Sequence, residues 1–171
     1  MPIASNLEAW LAELQAGDAW RPGLVGLDVS RRAIGVAGAD AGWRLATPLA
    51  TIRRRRLTAD LARLQDTIAE RGAAALVIGW PLNMDGSEGP RCQSVRAFAE
   101  QLERALGLPI LLWDERLSTF AATEAADQAG LRTRKRADRL DALAAAIILQ
   151  DALDALARLE SQAAPERPRP D

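Results

Sequence analysis

The sequence contains no histidine and no tyrosine, and only one cysteine, Cys92. Without histidine there is no Ser-His-Asp or Cys-His catalysis, no imidazole base and no histidine-ligated metal. A single cysteine excludes an intrachain disulfide and a thiolate-rich zinc site. No run of 18 apolar residues occurs, so no transmembrane helix is expected. The first residues lack a positively charged stretch followed by an apolar one, so they do not read as a secretory signal. A cytoplasmic protein is the expectation. Any catalysis must then rest on carboxylates, hydroxyls, cations or an ion held by oxygen, and carboxylates suit Mg²⁺ and Mn²⁺.

What is present is core material and arginine. Of 171 residues, 49% are apolar, enough for a sizeable core in one domain. Net charge is −1, yet 21 of the 22 cationic residues are arginine, the exception being Lys135. Arginine grips phosphate bidentately, which lysine cannot do. Two basic clusters stand out, Arg53 to Arg56 and Arg132 to Arg139. Either one reads equally as a solvated face.

Along the chain, residues 1–20 read as an amphipathic helical arm, with Ser5 and Glu8 at capping-box spacing. Residues 21–160 read as one domain. Leu24 to Val29, Ile34 to Ala39 and Trp43 to Ile52 are three strands in an antiparallel meander. A helix follows, with Leu57, Leu61, Leu64 and Ile68 on one face. Then come a strand over Ala75 to Gly79, a loop over Pro81 to Arg91 and a helix over Val95 to Leu106. A strand over Pro109 to Trp113, a helical stretch over Thr119 to Ala129, a basic mobile loop at Arg132 to Arg136 and a helix over Leu140 to Leu159 complete the order. Residues 161–171, where proline alternates with charge, are expected to be disordered. Late strand–helix–strand alternation implies right-handed parallel crossovers. The predicted fold is α/β: a mixed five-stranded sheet, three antiparallel strands then parallel ones, with helices on both faces.

Three acids fall where such a sheet gathers them. Asp28 interrupts an apolar strand, where a charge is costly unless paired or metal-bound. Asp114 ends the run Ile110 to Trp113, at the carboxyl end of a strand, where α/β sheets bind ligands. Asp141 lies in the first turn of the last helix, where the helix dipole alone would also favour it. Together the three carboxylates can hold two divalent ions, the arrangement that serves in-line phosphoryl displacement without a protein base.

Four stretches carry a family resemblance. Gly26-Leu27-Asp28 with Ile34-Gly35-Val36-Ala37, the long stretch Ile78 to Arg91, Asp114-Glu115-Arg116-Leu117-Ser118-Thr119, and Asp141 to Gln150 resemble, in order and spacing, the motifs of the YqgF family. These are the Holliday-junction-resolvase-like proteins, also described as pre-16S rRNA nucleases. The resemblance runs from about Leu24 to Arg158. It implies an RNase H-like fold, a cytoplasmic location and a nuclease maturing the 5′ end of 16S rRNA. It implies Asp28, Asp114 and Asp141 as catalytic metal ligands for Mg²⁺ or Mn²⁺, two ions in all. Ser30 stands where the family usually has glycine, and Arg32-Ala33 where it has a Lys-Arg-type pair.

Around the acids, Asn83, Ser87, Arg91, Arg116, Arg134, Lys135 and Arg136 are the expected substrate contacts. Turn formation alone would also account for the Asn83 to Ser87 stretch. Trp80 stays open as a base-stacking platform, and Glu115 as a metal support or a partner of Arg116. The expected partners are pre-16S RNA or branched DNA, and the small ribosomal subunit, with no membrane. The chain is a monomer or a homodimer. A junction-cutting DNA resolvase and a non-catalytic RNA-binding assembly factor are the alternatives. The chain is too short for the two-lobed cleft of an ATP phosphotransferase.

Overall fold

The computed structural model describes residues 3–17, 21–116 and 134–163; for 134–137 only the backbone is described. The elements are β1 (Ile3–Ala4), α1 (Leu7–Gln15), β2 (Gly23–Val29), β3 (Ala33–Ala39), β4 (Ala46–Arg53), α2 (Leu57–Glu70), β5 (Ala73–Trp80), α3 (Pro90–Leu106), β6 (Ile110–Asp114) and α4 (Arg134–Ala163). They form a mixed sheet in the order β1-β6-β5-β2-β3-β4. β2–β3 and β3–β4 pair antiparallel, while β2–β5, β5–β6 and β1–β6 pair parallel.

The sheet therefore has one strand more than the sequence predicted. The extra strand is β1, two residues that pair with β6 through Ile3 opposite Ile110. Two residues leave no periodicity to read. The arm is capped by Asn6, whose side chain accepts from the amides of Glu8 and Ala9 at 2.8 and 3.1 Å, and not by Ser5 as the capping-box spacing suggested. Trp43 lies outside β4, in the preceding turn at φ 55°. Arg134 to Arg136 begin α4 where a loop was expected. The helix predicted over Thr119 to Ala129 lies outside the described residues.

Strand alternation divides the core in two. Val25, Leu27, Val29, Ile78 and Leu112 face α2 and α3, where Leu64, Ile68, Val95, Phe98 and Leu102 meet them. Leu24, Ala37, Ala75, Val77 and Leu111 face α4 and α1, against Ala145, Ile148, Leu149 and Trp10. Small residues let α4 lie low on the second face. At Gly35 a Cβ would collide with the backbone carbonyl of Asp141. Gly35→Ala must lift the first turns of α4, and should cost about 2–3 kcal/mol in a denaturant titration.

Candidate active site

Asp28 is the sixth residue of β2 and, by alternation, shares the α4 face with Leu24 and Gly26. Its cross-strand partner in β3 is Gly35. On the other side, one residue beyond the Leu27–Ile78 pair, stands Gly79 of β5. Asp28 is thus flanked by two residues with no side chain, and the space above each is filled from elsewhere in the chain. Over Gly35 lies the backbone of Asp141, at the α4 turn tied to β4 by Thr51 donating to the Asp138 carbonyl and by a 2.7 Å Arg53–Asp138 ion pair. Over Gly79 lies Glu115, whose Oε2 fills the place a Cβ would take.

Glu115, just past the end of β6, is buried, and its amide donates to the Trp80 carbonyl at 3.1 Å. Its carboxyl is hydrogen-bonded to Asp28. Burial, then the neighbouring Asp28 charge, pushes Glu115 up to about 8, with Arg91 opposing. Burial and then Asp141 push Asp28 up to about 6, against Arg91 and the bond from Glu115. Glu115 is therefore the protonated member and donates to Asp28. Burial, then Asp138, also raises Asp141, with Arg53 opposing. Among the described residues the largely exposed Arg91 forms an ion pair with Glu115, 3.9 Å from Oε1.

Asp114 goes the other way. One residue earlier in the alternation, it points to the α2–α3 side of the sheet edge, opposite Trp80. Partial burial raises its carboxyl, but bonds from the Arg116 side chain and amide outweigh this and hold it below the usual range. The Arg116–Asp114 ion pair is 2.7 Å long, and the same guanidinium donates to the Met84 carbonyl at 3.3 Å. The structure thus brings Asp28 and Asp141 together as expected, joins Glu115 to them, and ties Asp114 to Arg116. Among the described residues no three acids already surround one point closely enough to hold an ion.

Beside Glu115 opens a cavity of about 160 Å³ lined by Pro81, Leu82, Asn83, Gly89, Pro90, Arg91, Glu115 and Arg116. Three of the expected substrate contacts, Asn83, Arg91 and Arg116, thus share one recess. Ser87 is taken up inside the 81–89 loop. Its hydroxyl donates to Asp85 at 2.6 Å and accepts from Asn83 Nδ2 at 2.9 Å. Arg134, Lys135 and Arg136 lie in the first turn of α4, and their side chains are outside the described residues. Trp80 is no stacking platform: it is buried, with Arg96 4.9 Å over its ring. Ser30 spends its hydroxyl on the turn, bonding with the carbonyl and amide of Ala33. Cys92 is buried and donates to the Pro81 carbonyl.

The family model described as "RuvX: Holliday junction resolvase" matches residues 23–155. The chain belongs to this family. The arm β1–α1 lies outside the matched stretch. Among RuvX relatives, a Rhodobacter capsulatus protein is 55% identical over 136 residues, 80% of this chain and 86% of its own. A Cereibacter sphaeroides protein (strain ATCC 17025) is 51% identical over 154 residues, 90% of this chain and 94% of its own. Both carry the name "Putative pre-16S rRNA nuclease". In three dimensions the chain is similar to Thermus thermophilus RuvC, solved in complex with a Holliday junction substrate. The TM-score is 0.50 at 15% identity, over 80% of this chain and 96% of that one. The RuvX chain thus has the RuvC-type, RNase H-like fold that the sequence led one to expect, with β1 added at its edge.

Proposed function

We propose that this RuvX protein is a cytoplasmic, divalent-metal-dependent nuclease that matures the 5′ end of the 16S rRNA precursor. The observation that carries this is the buried Glu115 bonded to the half-buried Asp28 beneath the Asp141 turn of α4, in a chain whose relatives bear the pre-16S nuclease name. A nuclease reading gives a purpose to two carboxyls held side by side at the end of the sheet, where each raises the other's cost of ionising: as a structural pair they cost stability, and as ligands a divalent ion would let both ionise.

The donor set is all oxygen, which fits Mg²⁺ or Mn²⁺, and Asp28, Glu115 and Asp141 would hold two such ions. When bound, these ions acidify water and stabilise the charge developing on the phosphate, work that a chain without histidine cannot give to a side-chain base. The remaining residues bind and orient. Arg91 and Arg116 face the recess beside Glu115, where their guanidinium groups suit a phosphate. Arg116, locked on Asp114 and the Met84 carbonyl, also fixes the 81–89 loop against β6. Gly79 leaves the Glu115 carboxyl its room. Arg134, Lys135 and Arg136, leading into the Asp141 turn, supply further backbone contacts.

The test is a cleavage assay with Mg²⁺ or Mn²⁺ on RNA spanning the 16S 5′ leader, with a four-way DNA junction alongside. Cleavage of the leader RNA is expected, and Asp28→Asn should lower it about 10³-fold. Cleavage of the junction in preference would move the assignment to a resolvase. RNA bound but left intact by the metal-replete protein would make it an assembly factor.

A further inference from the structure

Of the run Arg53 to Arg56 only Arg53 has a part in the site above, and the four separate in the fold. Arg53 pairs with Asp138. Arg54 turns inward, 5.0 Å over the Phe98 ring and 3.7 Å from the buried Asp60. Its guanidinium donates to the Ser30 carbonyl at 3.0 Å, and its amide to the Arg32 carbonyl at 2.8 Å. Arg54 therefore stitches the β4–α2 junction to the β2–β3 turn. Arg55 and Arg56 stay exposed on one side of that seam, Arg31 and Arg32 on the other. None of these four side chains forms an ion pair among the described residues. In a chain of net charge −1, four unpaired arginines on one shelf are a local concentration and not a whole-chain trend.

The shelf adjoins the acids. The β2–β3 turn begins at Ser30, two residues after Asp28. A small cleft of about 60 Å³, lined by Val29, Ser30, Arg31, Arg54 and Arg91 among others, leads from the turn to Arg91, the cation beside Glu115.

We propose that this shelf is a second anchoring surface for the substrate. The sugar-phosphate backbone of an RNA strand passes from the acids by Arg91, crosses the β2–β3 turn and lies on Arg31, Arg32, Arg55 and Arg56. Guanidinium–phosphate contacts of this kind position a strand without reading its sequence. The proposal rests on the nuclease reading and deepens it: the four arginines set affinity and register, while the carboxylates do the chemistry.

The experiment measures binding of a labelled single-stranded leader RNA, in EDTA, across a salt series. For single strands the slope of log K against log salt is about 0.7 per phosphate contact. Arg55→Gln/Arg56→Gln should flatten it by about 1.4 and weaken binding roughly ten-fold near 0.1 M salt. In turnover the loss should fall on KM more than on kcat. Arg31→Gln/Arg32→Gln, from the other side of the seam, should do the same. Arg104→Gln, exposed near the end of α3, should change nothing. Wild-type slopes in both double variants, with RNA still bound and cleaved by the parent, would overturn the shelf and leave the nuclease intact. A change seen on branched DNA alone would overturn RNA as the occupant. A parent protein that neither binds nor cuts RNA would sink the nuclease reading, and the shelf with it.

Discussion

Glu115→Gln should abolish cleavage, on the order of 10³-fold in kcat, while Asp114→Asn should cost about ten-fold or less. The difference follows from alternation. Residues 114 and 115 are adjacent, so at the end of β6 they leave opposite sides of the sheet edge. Glu115 takes the side of Asp28 and fills the space over Gly79. Asp114 takes the other side and is neutralised by Arg116 at 2.7 Å. Replacing Glu115 by Gln exchanges an anionic carboxylate for a neutral amide in the group that would hold the ions, and several kcal/mol of charge stabilisation goes with it. Removing the charge of Asp114 loosens Arg116, hence the 81–89 loop, an effect on positioning. A KM-against-kcat comparison separates them: Asp114→Asn should act mainly on KM. Equal kcat losses in the two variants would return Asp114 to the metal site.

The element order, the antiparallel-then-parallel sheet and the helices on both faces were legible because long apolar runs, glycine breaks and helical periodicity all agreed. Asp28 was legible as a charge in an apolar strand; Asp141, expected in the first turn of the last helix, is instead the eighth residue of α4, because that helix begins at Arg134. The choice between Asp114 and Glu115 turned on one residue of strand phase. The signal was there: Leu111 and Trp113 pack on the α4 face with Leu24 and Val77, so the next residue in that series is Glu115. Strand-end position and the family resemblance both point to Asp114, while strand phase points to Glu115, the acid that is bonded to Asp28. Gly35 and Gly79 carried no local mark, since their role is to leave room for a residue remote in sequence. Nor does a run of four arginines say which one turns inward. That is fixed by Phe98 and the buried Asp60, neither of which is near Ser30 in the chain.

The acid pair should also make the metal-free protein less stable as pH rises. Both carboxyls have folded values above their ordinary ones, Asp28 at about 6 and Glu115 at about 8. The folded state therefore holds protons that the unfolded chain releases near pH 4. Stability then falls with pH from about 4 until the folded pair has ionised near 8, and levels off above. The loss should be on the order of 3–5 kcal/mol, because one pKa unit corresponds to about 1.4 kcal/mol and the two sites share one proton bond. Denaturant midpoints in EDTA at pH 5, 6.5 and 8 measure it. Glu115→Gln takes the larger titration away, so its midpoints should change far less across the series and exceed the parent's at pH 8. Mg²⁺ or Mn²⁺ should reverse this ranking at pH 8, stabilising the parent and leaving the variant little changed, since binding to the folded state alone is added stability. At pH 6 the ions must displace the Glu115 proton, so more metal should be needed for half-maximal cleavage. A parent whose metal-free stability is flat from pH 5 to 8 would mean that the two carboxyls are not held together in solution. Their contact with each other, costly alone and relieved by a cation, would then no longer support the site.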